Sequence, residues 1–170
     1  MRAPALLVLS GLALGAAACA GVEPAPPAAS PLSAPATAPA PIENYDWLFF
    51  EEGDEASLGF GLDESDDVWL DLDCRRGSGR LVLVAPAGPD APRLVRLEAG
   101  GERAAYRAEV EASELHEGVF LIADAPTADP VFQRFRALGW MTIEQEGEAH
   151  AMVPHPGSAA RIERFFAFCG

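Results

Sequence analysis

The sequence lacks lysine, since all twelve of its basic side chains are arginines. Against them stand 26 Asp and Glu residues, which gives a formal net charge of −14 at pH 7. A surface this acidic repels nucleic-acid phosphates and anionic lipid headgroups, so we expect no nucleic-acid partner. The missing lysine also excludes a P-loop, because that motif ends in one. Any attachment to a membrane must therefore depend on something other than charge.

Histidine is scarce, and its three positions are His116, His150 and His155. None of them belongs to an HExxH sequence or to a Cys–His zinc spacing. The Gly-Ser-Gly at 77–79 lacks the Gly-x-Ser-x-Gly arrangement of a nucleophile elbow. We therefore predict no catalytic residues and no cofactor, and we interpret the histidines as structural or incidental.

No apolar run is long enough to span a membrane comfortably as a helix. The longest, at 3–18, has about 16 residues, where a crossing needs about 20. It follows Arg2 and ends in three small residues at 16–18. A positively charged N-terminus, a short apolar segment and small residues at the end of that segment are typical of a secretory signal peptide. We expect residues 1–18 to be a signal peptide.

Cysteine is also rare, with three in the chain, and Cys19 directly follows the apolar span. The stretch LGAAACAG resembles the lipobox of bacterial lipoproteins, in which the signal is cut before a diacylated cysteine. The resemblance implies that Cys19 carries the lipid, although Ala16 stands where the family usually has Leu. Because Ala20 rather than Asp follows Cys19, it further implies the periplasmic face of the outer membrane. The alternative, cleavage by an ordinary signal peptidase, would give a soluble periplasmic or secreted protein.

A segment rich in proline and alanine follows, with seven Pro and eight Ala at 20–41. Proline removes backbone donors and fixes φ, so this segment is predicted to be extended and solvated. We divide the chain into a signal peptide at 1–18, the lipidated cysteine with its linker at 19–42, and a single globular β-rich domain at 43–170.

The globular part alternates short apolar runs with turn residues, which predicts an antiparallel sheet. We predict strands at 46–53, 55–62, 67–74, 80–86, 93–99, 102–110 and 119–125, and a hairpin over 140–153 that turns at Glu146-Gly147. One helix is expected between an Asp129 cap and a Gly139 stop, and a second, C-terminal helix over 157–169. The predicted fold class is α+β and mainly antiparallel β, a sandwich or open barrel of about seven to nine strands with two short helices.

The other two cysteines, Cys74 and Cys169, lie on the apolar face of their predicted elements. If Cys19 is acylated, these are the only thiols left, and an exported chain enters an oxidising compartment. We predict a Cys74–Cys169 disulfide, with two separate buried thiols as the alternative. No Cys-x-x-Cys spacing indicates a redox-active pair.

Six carboxylates fall within the eleven residues of 63–73. An EF-hand loop starting at Asp63 would need Gly at position 6 and Glu at position 12, where the chain has Val68 and Cys74. That motif therefore fails, and a solvated acidic edge is the favoured interpretation. The residues that form the weak candidate cation site are Asp63, Asp67, Asp71 and Asp73.

These observations predict a lipid-anchored, non-catalytic interaction module of the cell envelope. Its partner would be an envelope protein or a small envelope component, and Trp47 and Trp69 are the candidate binding residues. One alternative is an inhibitor of a basic wall-degrading enzyme, since some lysozyme inhibitors are similar small, disulfide-bonded lipoproteins. Another is a carboxylate-based envelope hydrolase. The strict alternation of 68–74 predicts that Asp71 and Asp73 are exposed, which counts against the hydrolase.

Overall fold

The computed structural model describes residues 37–113 and 117–170. The predicted signal peptide, Cys19, the first part of the linker and His116 lie outside the described residues. Residues 37–42 form neither helix nor strand, and the chain enters its first strand at Tyr45. In the part of the chain that is described, no helix is long and apolar enough to cross a membrane.

Ten strands and two helices follow one another along the described residues. They are β1 (Tyr45–Glu52), β2 (Glu55–Leu62), β3 (Val68–Arg75), β4 (Arg80–Ala87), β5 (Leu94–Ala99), β6 (Glu102–Arg107), β7 (Glu109–Ala112), β8 (Val119–Pro126), α1 (Pro130–Leu138), β9 (Met141–Gln145), β10 (Glu148–Met152) and α2 (Ala159–Cys169). The predicted class, α+β and mainly antiparallel β with two short helices, is confirmed.

The strands form two antiparallel sheets. The larger has the order β1-β2-β3-β4-β8-β7, and the smaller has the order β10-β9-β5-β6. Strands that follow one another are mostly joined as hairpins, and the β9–β10 turn has positive φ at Glu146 (52°) and Gly147 (83°). Positive φ at both central residues gives the turn a twist that matches its strands, so the sequence located this hairpin correctly.

The single strand predicted over 102–110 is wrong, because the chain changes sheets within it. β6 pairs with β5, whereas β7 pairs with β8 in the larger sheet. Between them, the Ala108 N–H donates to the Arg93 carbonyl at 3.1 Å, and the Ala108 side chain is buried. Tyr106 and Val110 therefore lie in different sheets. Because the predicted strand is divided into β6 and β7, the protein has ten strands among its described residues instead of nine.

The core lies between the inner faces of the two sheets and is completed by the helices. α2 packs on β1, β2 and β3, while α1 packs on β5 and β6. Each helix buries an aromatic stripe, and ring centroids of Phe132 and Phe135 in α1 lie 6.3 and 5.9 Å from that of Phe166 in α2. These contacts fill one end of the space between the sheets with phenylalanine.

The boundaries of α1 agree with the sequence. Pro130 is its first residue, and Gly139 ends it with a φ of 79° and an N–H that donates to the Phe135 carbonyl at 2.7 Å. The Asp129 side chain makes no capping bond and instead accepts a hydrogen bond from the Tyr106 hydroxyl at 2.8 Å. Burial and this bond raise the pKa of Tyr106. Asp129 thus links α1 to β6.

The helix-filled end is also held covalently, because Cys74 of β3 and Cys169 of α2 form the predicted disulfide, with Cα atoms 5.7 Å apart. The β3–β4 loop reinforces it. The N–H groups of Gly77 and Gly79, with φ values of 64° and 65°, donate to the carbonyls of Phe168 and Cys169, each at 2.9 Å. The last carbonyls of a helix have no partner within it, so this loop caps α2.

Candidate functional site

A β-bulge at Trp69 shapes an open concave surface between the two sheets. In the β2–β3 ladder Phe60 lies opposite Leu70 and Gly61 lies opposite Val68, so Trp69 is an extra residue on β3. The Trp69 ring contacts those of Tyr45 and Phe60, with centroids 5.1 and 5.7 Å away. A bulge can re-aim a side chain in this way. Strict alternation along β3 predicts that Trp69 lies on the same face as Asp71 and Asp73, and the bulge shows that this prediction is wrong.

The bulge depends on a glycine in the neighbouring strand. A Cβ atom at Gly61 would lie 2.5 Å from the Asp67 carbonyl oxygen and 2.9 Å from the Val68 Cα. Only a residue without a side chain permits the two backbones to approach so closely. Glycine inside a strand is the sequence signal that could have revealed the bulge.

Trp69 lies in the wall of an open cleft of about 1230 Å³ between the two sheets, which we call the intersheet cleft. Its interior includes buried residues from both sheets, among them Ala85, Leu121, Val95 and Ile143. β3 runs from Trp69 at the cleft to Cys74 at the disulfide. The cleft therefore lies at the end of the sandwich opposite the helix-filled end.

Two side chains of the smaller sheet meet Trp69 in this cleft. The half-buried His150 ring of β10 lies edge-on to the indole, with centroids 5.3 Å apart. Gln145 of β9 donates to the carbonyls of Trp69 and Pro86 at 3.3 and 3.2 Å, which ties the sheets together. Neither His150 nor Gln145 is predicted as a site residue from the sequence, because no local motif marks them.

The lining of the cleft is strongly acidic. Among the described residues of the lining, Arg96 is the only arginine, and it lies 3.3 Å from Glu144 in an ion pair. No other carboxylate of the lining pairs with an arginine among the described residues. The lining carboxylates are Asp90, Glu117, Glu144, Glu146 and Glu148. The described lining contains no serine, threonine or cysteine that could act as a nucleophile beside His150. This arrangement suits the binding of a cationic group with an apolar body.

Asp71 and Asp73 lie on the outer face of the larger sheet and are half-buried, so their predicted exposure is corrected. Gly59 leaves room for the Asp71 carboxylate, because a Cβ atom there would lie 2.5 Å from Oδ1. The Ser57 hydroxyl donates to the same oxygen at 3.3 Å. Burial raises the pKa of Asp71, and burial together with the Asp71 charge raises the pKa of Asp73 to about 6.

The other two members of the candidate cation site are elsewhere. Asp67 accepts a hydrogen bond from the Tyr45 hydroxyl, which raises the pKa of Tyr45. Asp63 is exposed in the β2–β3 loop. Within 37–113 and 117–170, no group of three or more His, Cys, Asp or Glu side chains is arranged to hold a metal ion.

Trp47, the other candidate binding residue, is completely buried. Its ring packs on Phe60 and Phe135, with centroids 5.3 and 4.8 Å away, and its indole N–H donates to the Met152 carbonyl at 3.3 Å. Alternation along β1 directs Trp47 into the core. It is a core residue, and its prediction as a binding residue is wrong.

No family model, curated protein or solved structure matches this chain.

Proposed function

We propose that this protein is a lipid-anchored interaction module of the cell envelope, without catalytic activity, that binds a basic partner protein in the intersheet cleft. The observation that carries the proposal is the position of Trp69, which is half-buried in the wall of an open cleft whose other side chains include five carboxylates. An indole face attracts cations, and a cluster of carboxylates steers a basic partner toward it.

The anchor in this proposal rests on the sequence around Cys19. A single acyl chain holds a protein to a bilayer only weakly, whereas several chains on one cysteine hold it firmly. At about 3.1 Å per residue, an extended linker over 20–41 could place the domain up to about 70 Å from the membrane. Such a tether would let the cleft reach partners embedded in or bound to the envelope.

The binding proposal is tested by affinity capture of the full chain, with the native cell envelope solubilised in non-ionic detergent. Glu146→Gln with Glu148→Gln removes two charges from the cleft, and the matched control, Glu102→Gln with Glu109→Gln, removes two charges from exposed positions elsewhere. We expect mass spectrometry to identify a basic protein that the cleft variant loses and the control retains. Equal retention by both variants would contradict the proposal.

The anchor is tested separately by metabolic labelling with a clickable fatty acid. We expect the wild type to be labelled and the Cys19→Ser variant to remain unlabelled and to be released from the membrane fraction. Labelling of both forms, or of neither, would contradict lipidation at Cys19 without affecting the binding proposal.

One specific class of partner is a basic wall-degrading enzyme, which this chain would inhibit. The acidic lining of the cleft favours it, because charge complementarity accelerates association with a basic enzyme. Titration of a lysozyme with the full chain would then show stoichiometric inhibition that weakens as salt rises. If inhibition is absent at equimolar protein, the partner belongs to another class.

The half-buried acids favour a second candidate function, the envelope hydrolase. A general acid needs a raised pKa beside a second carboxylate, and burial raises the pKa of Asp73 to about 6 beside Asp71, whose pKa burial also raises. We rank this function second because the two residues lie on an open sheet face. Release of reducing ends from peptidoglycan by the wild type, lost in both Asp71→Asn and Asp73→Asn, would place the hydrolase first.

A further inference from the structure

The described surface repeats one arrangement, in which an arginine guanidinium lies over a phenylalanine ring and also pairs with a carboxylate. Its instances are Arg76 over Phe168 (4.0 Å) with Glu51 (3.1 Å), Arg164 over Phe49 (4.9 Å) with Glu51 (3.1 Å), and Arg136 over Phe166 (5.3 Å) with Glu163 (3.3 Å). The two attractions reinforce each other, because the ring face and the carboxylate both favour a positive charge.

A phenylalanine and a carboxylate, Phe50 and Asp73, also lie near each other on the outer face of the larger sheet, where the arginines of the lining pair with other carboxylates. The ladder registers place one row of side chains across five strands. In order, the row is Phe50, Ser57, Asp73, Val82 and Asp124, and all five line an open groove of about 720 Å³, which we call the outer groove. Strands are about 4.8 Å apart, so the Cα atoms of Phe50 and Asp73 are separated by about 10 Å.

Phe50 and Val82 are unusually exposed for apolar side chains. Phe50 is 62% exposed and Val82 is 38% exposed, the two highest values among the large apolar residues described. The small Ser57 side chain separates Phe50 from Asp73, which leaves the space above it open. Across the strands, the groove therefore presents first an aromatic ring, then a carboxylate and then an aliphatic side chain.

The charges of the outer groove are not balanced by its own arginines. Arg75 lies 3.5 Å from Glu55, and Arg80 lies 3.6 Å from Asp124. Two carboxylates that line the groove, Glu52 and Asp73, are not paired with any arginine of the described residues, and of these two Asp73 is the half-buried one. A half-buried carboxylate in this position is complementary to a cation that another molecule supplies.

We propose that the outer groove is a docking site for an arginine side chain from an extended basic segment of a partner protein. The guanidinium stacks on the Phe50 ring and pairs with the Asp73 carboxylate, while the next residue of the segment packs on Val82. Arginine fits better than lysine, because its planar, weakly hydrated fork can stack on a ring and bond a carboxylate at the same time. The groove is on the outer face and the intersheet cleft is between the sheets, so this site does not depend on the function proposed for the cleft.

The test uses the isotope-labelled full chain in non-ionic detergent and three acetylated octapeptides of serine and valine. The peptides differ at one central residue, which is arginine, lysine or citrulline. We expect the arginine peptide to shift the amide resonances of Phe50, Ser57 and Val82, and to bind about tenfold more tightly than the citrulline peptide and about threefold more tightly than the lysine peptide.

Variants then separate the groove from general charge attraction. Phe50→Ala and Asp73→Asn should each lower the affinity for the arginine peptide about tenfold. The matched controls, Val110→Ala and Glu102→Gln, remove an exposed apolar group and an exposed charge elsewhere and should leave affinity unchanged. The site is refuted if no resonance of the groove shifts, if the three peptides bind alike, or if Glu102→Gln weakens binding as much as Asp73→Asn.

Discussion

The two ends of the space between the sheets are built in opposite ways. At one end, the helices fill the space with phenylalanine, the Cys74–Cys169 disulfide fastens α2 to β3, and the Gly77–Gly79 loop caps the helix. At the other end, no described helix enters, and the cleft is crossed by the Gln145 side chain. We call these the closed end and the open end.

This difference separates stability from binding in the molecule. The closed end concentrates buried aromatic area and a covalent link, and both stabilise the folded state. The open end leaves Trp69 half-buried in a cleft that is also lined by carboxylates, which repel one another. Those carboxylates contribute little to stability and suit the recognition of a cation. Changes at the closed end should therefore affect unfolding, and changes at the open end should affect binding.

The largest effect is expected from the disulfide. Replacing Cys74 and Cys169 by alanine opens a loop with a sequence separation of 95 residues. In the chain-entropy model this lowers the free energy of unfolding by about 4 to 5 kcal/mol. Urea titration at 25 °C measures the loss, while capture of the partner by the still-folded fraction should be unchanged. A loss below about 1 kcal/mol would mean that the closed end is not held by this bond.

A pair of aromatic truncations compares the two ends directly. Phe166→Ala at the closed end should cost about 3 to 5 kcal/mol, because it opens a cavity among fully buried rings. Trp69→Ala at the open end should cost less, about 2 kcal/mol, since the Trp69 side chain is only partly buried whereas the Phe166 ring is fully buried. Binding should respond in the opposite way: Trp69→Ala should no longer capture the partner, whereas folded Phe166→Ala should still capture it. If Trp69→Ala lowers stability as much as Phe166→Ala, the distinction between the ends is wrong.

The outer face should show a smaller, pH-dependent effect. Burial raises the pKa of Asp73 to about 6, so the folded state binds this proton more tightly than the unfolded chain does. Protonation of Asp73 therefore stabilises the folded state. This stabilisation is fully present below the pKa that Asp73 has in the unfolded chain, and it is lost as pH rises through about 6, the pKa of Asp73 in the folded protein. Because the side chain is half-buried and screened by solvent, we expect Asp73→Asn to stabilise the protein by about 1 kcal/mol at pH 7.

The same substitution should have little effect on stability at pH 4, where the aspartate is protonated in the folded state. Chemical denaturation of both proteins at pH 4, 5, 6 and 7 provides the measurement. A difference that is constant across this range would show that Asp73 keeps an ordinary pKa. Glu102→Gln, which removes an exposed charge, serves as the reference at each pH.

The smallest effect is expected at Gln145, which bridges the sheets across the open end. Gln145→Ala removes two hydrogen bonds to carbonyls that solvent can partly replace, and should cost about 0.5 to 1 kcal/mol. Hydrogen exchange should become faster at β9 and β10 while α2 stays protected. Faster exchange throughout the protein would mean that the two ends open together.

Much of the fold followed from local chemistry. The Glu146–Gly147 turn, the Pro130 and Gly139 boundaries of α1 and the apolar stripe of α2 are fixed by neighbouring residues, and the sequence located them. The disulfide could be predicted by elimination, because it depended on the number of available thiols. These features need no knowledge of which strands become neighbours.

The features that define the site depend on contacts between distant segments. The bulge at Trp69 arises where the β3 backbone crosses Gly61, and alternation along β3 alone cannot show it. The change of sheets at Ala108 depends on where β5 and β8 leave an open edge. His150 reaches Trp69 only because two sheets face each other. Trp47 shows the same limit, since an aromatic in an edge strand can turn toward either face.

The most direct test of the binding account is photo-cross-linking in native cells. A photoreactive phenylalanine analogue replaces Pro89, an exposed and uncharged residue of the cleft lining, or, as the control, Glu102 outside the cleft. We predict that position 89 forms an adduct with one basic envelope protein, that Trp69→Ala abolishes this adduct, and that position 102 does not form it. If both positions give the same adduct, or if position 89 gives none, the intersheet cleft is not the binding surface.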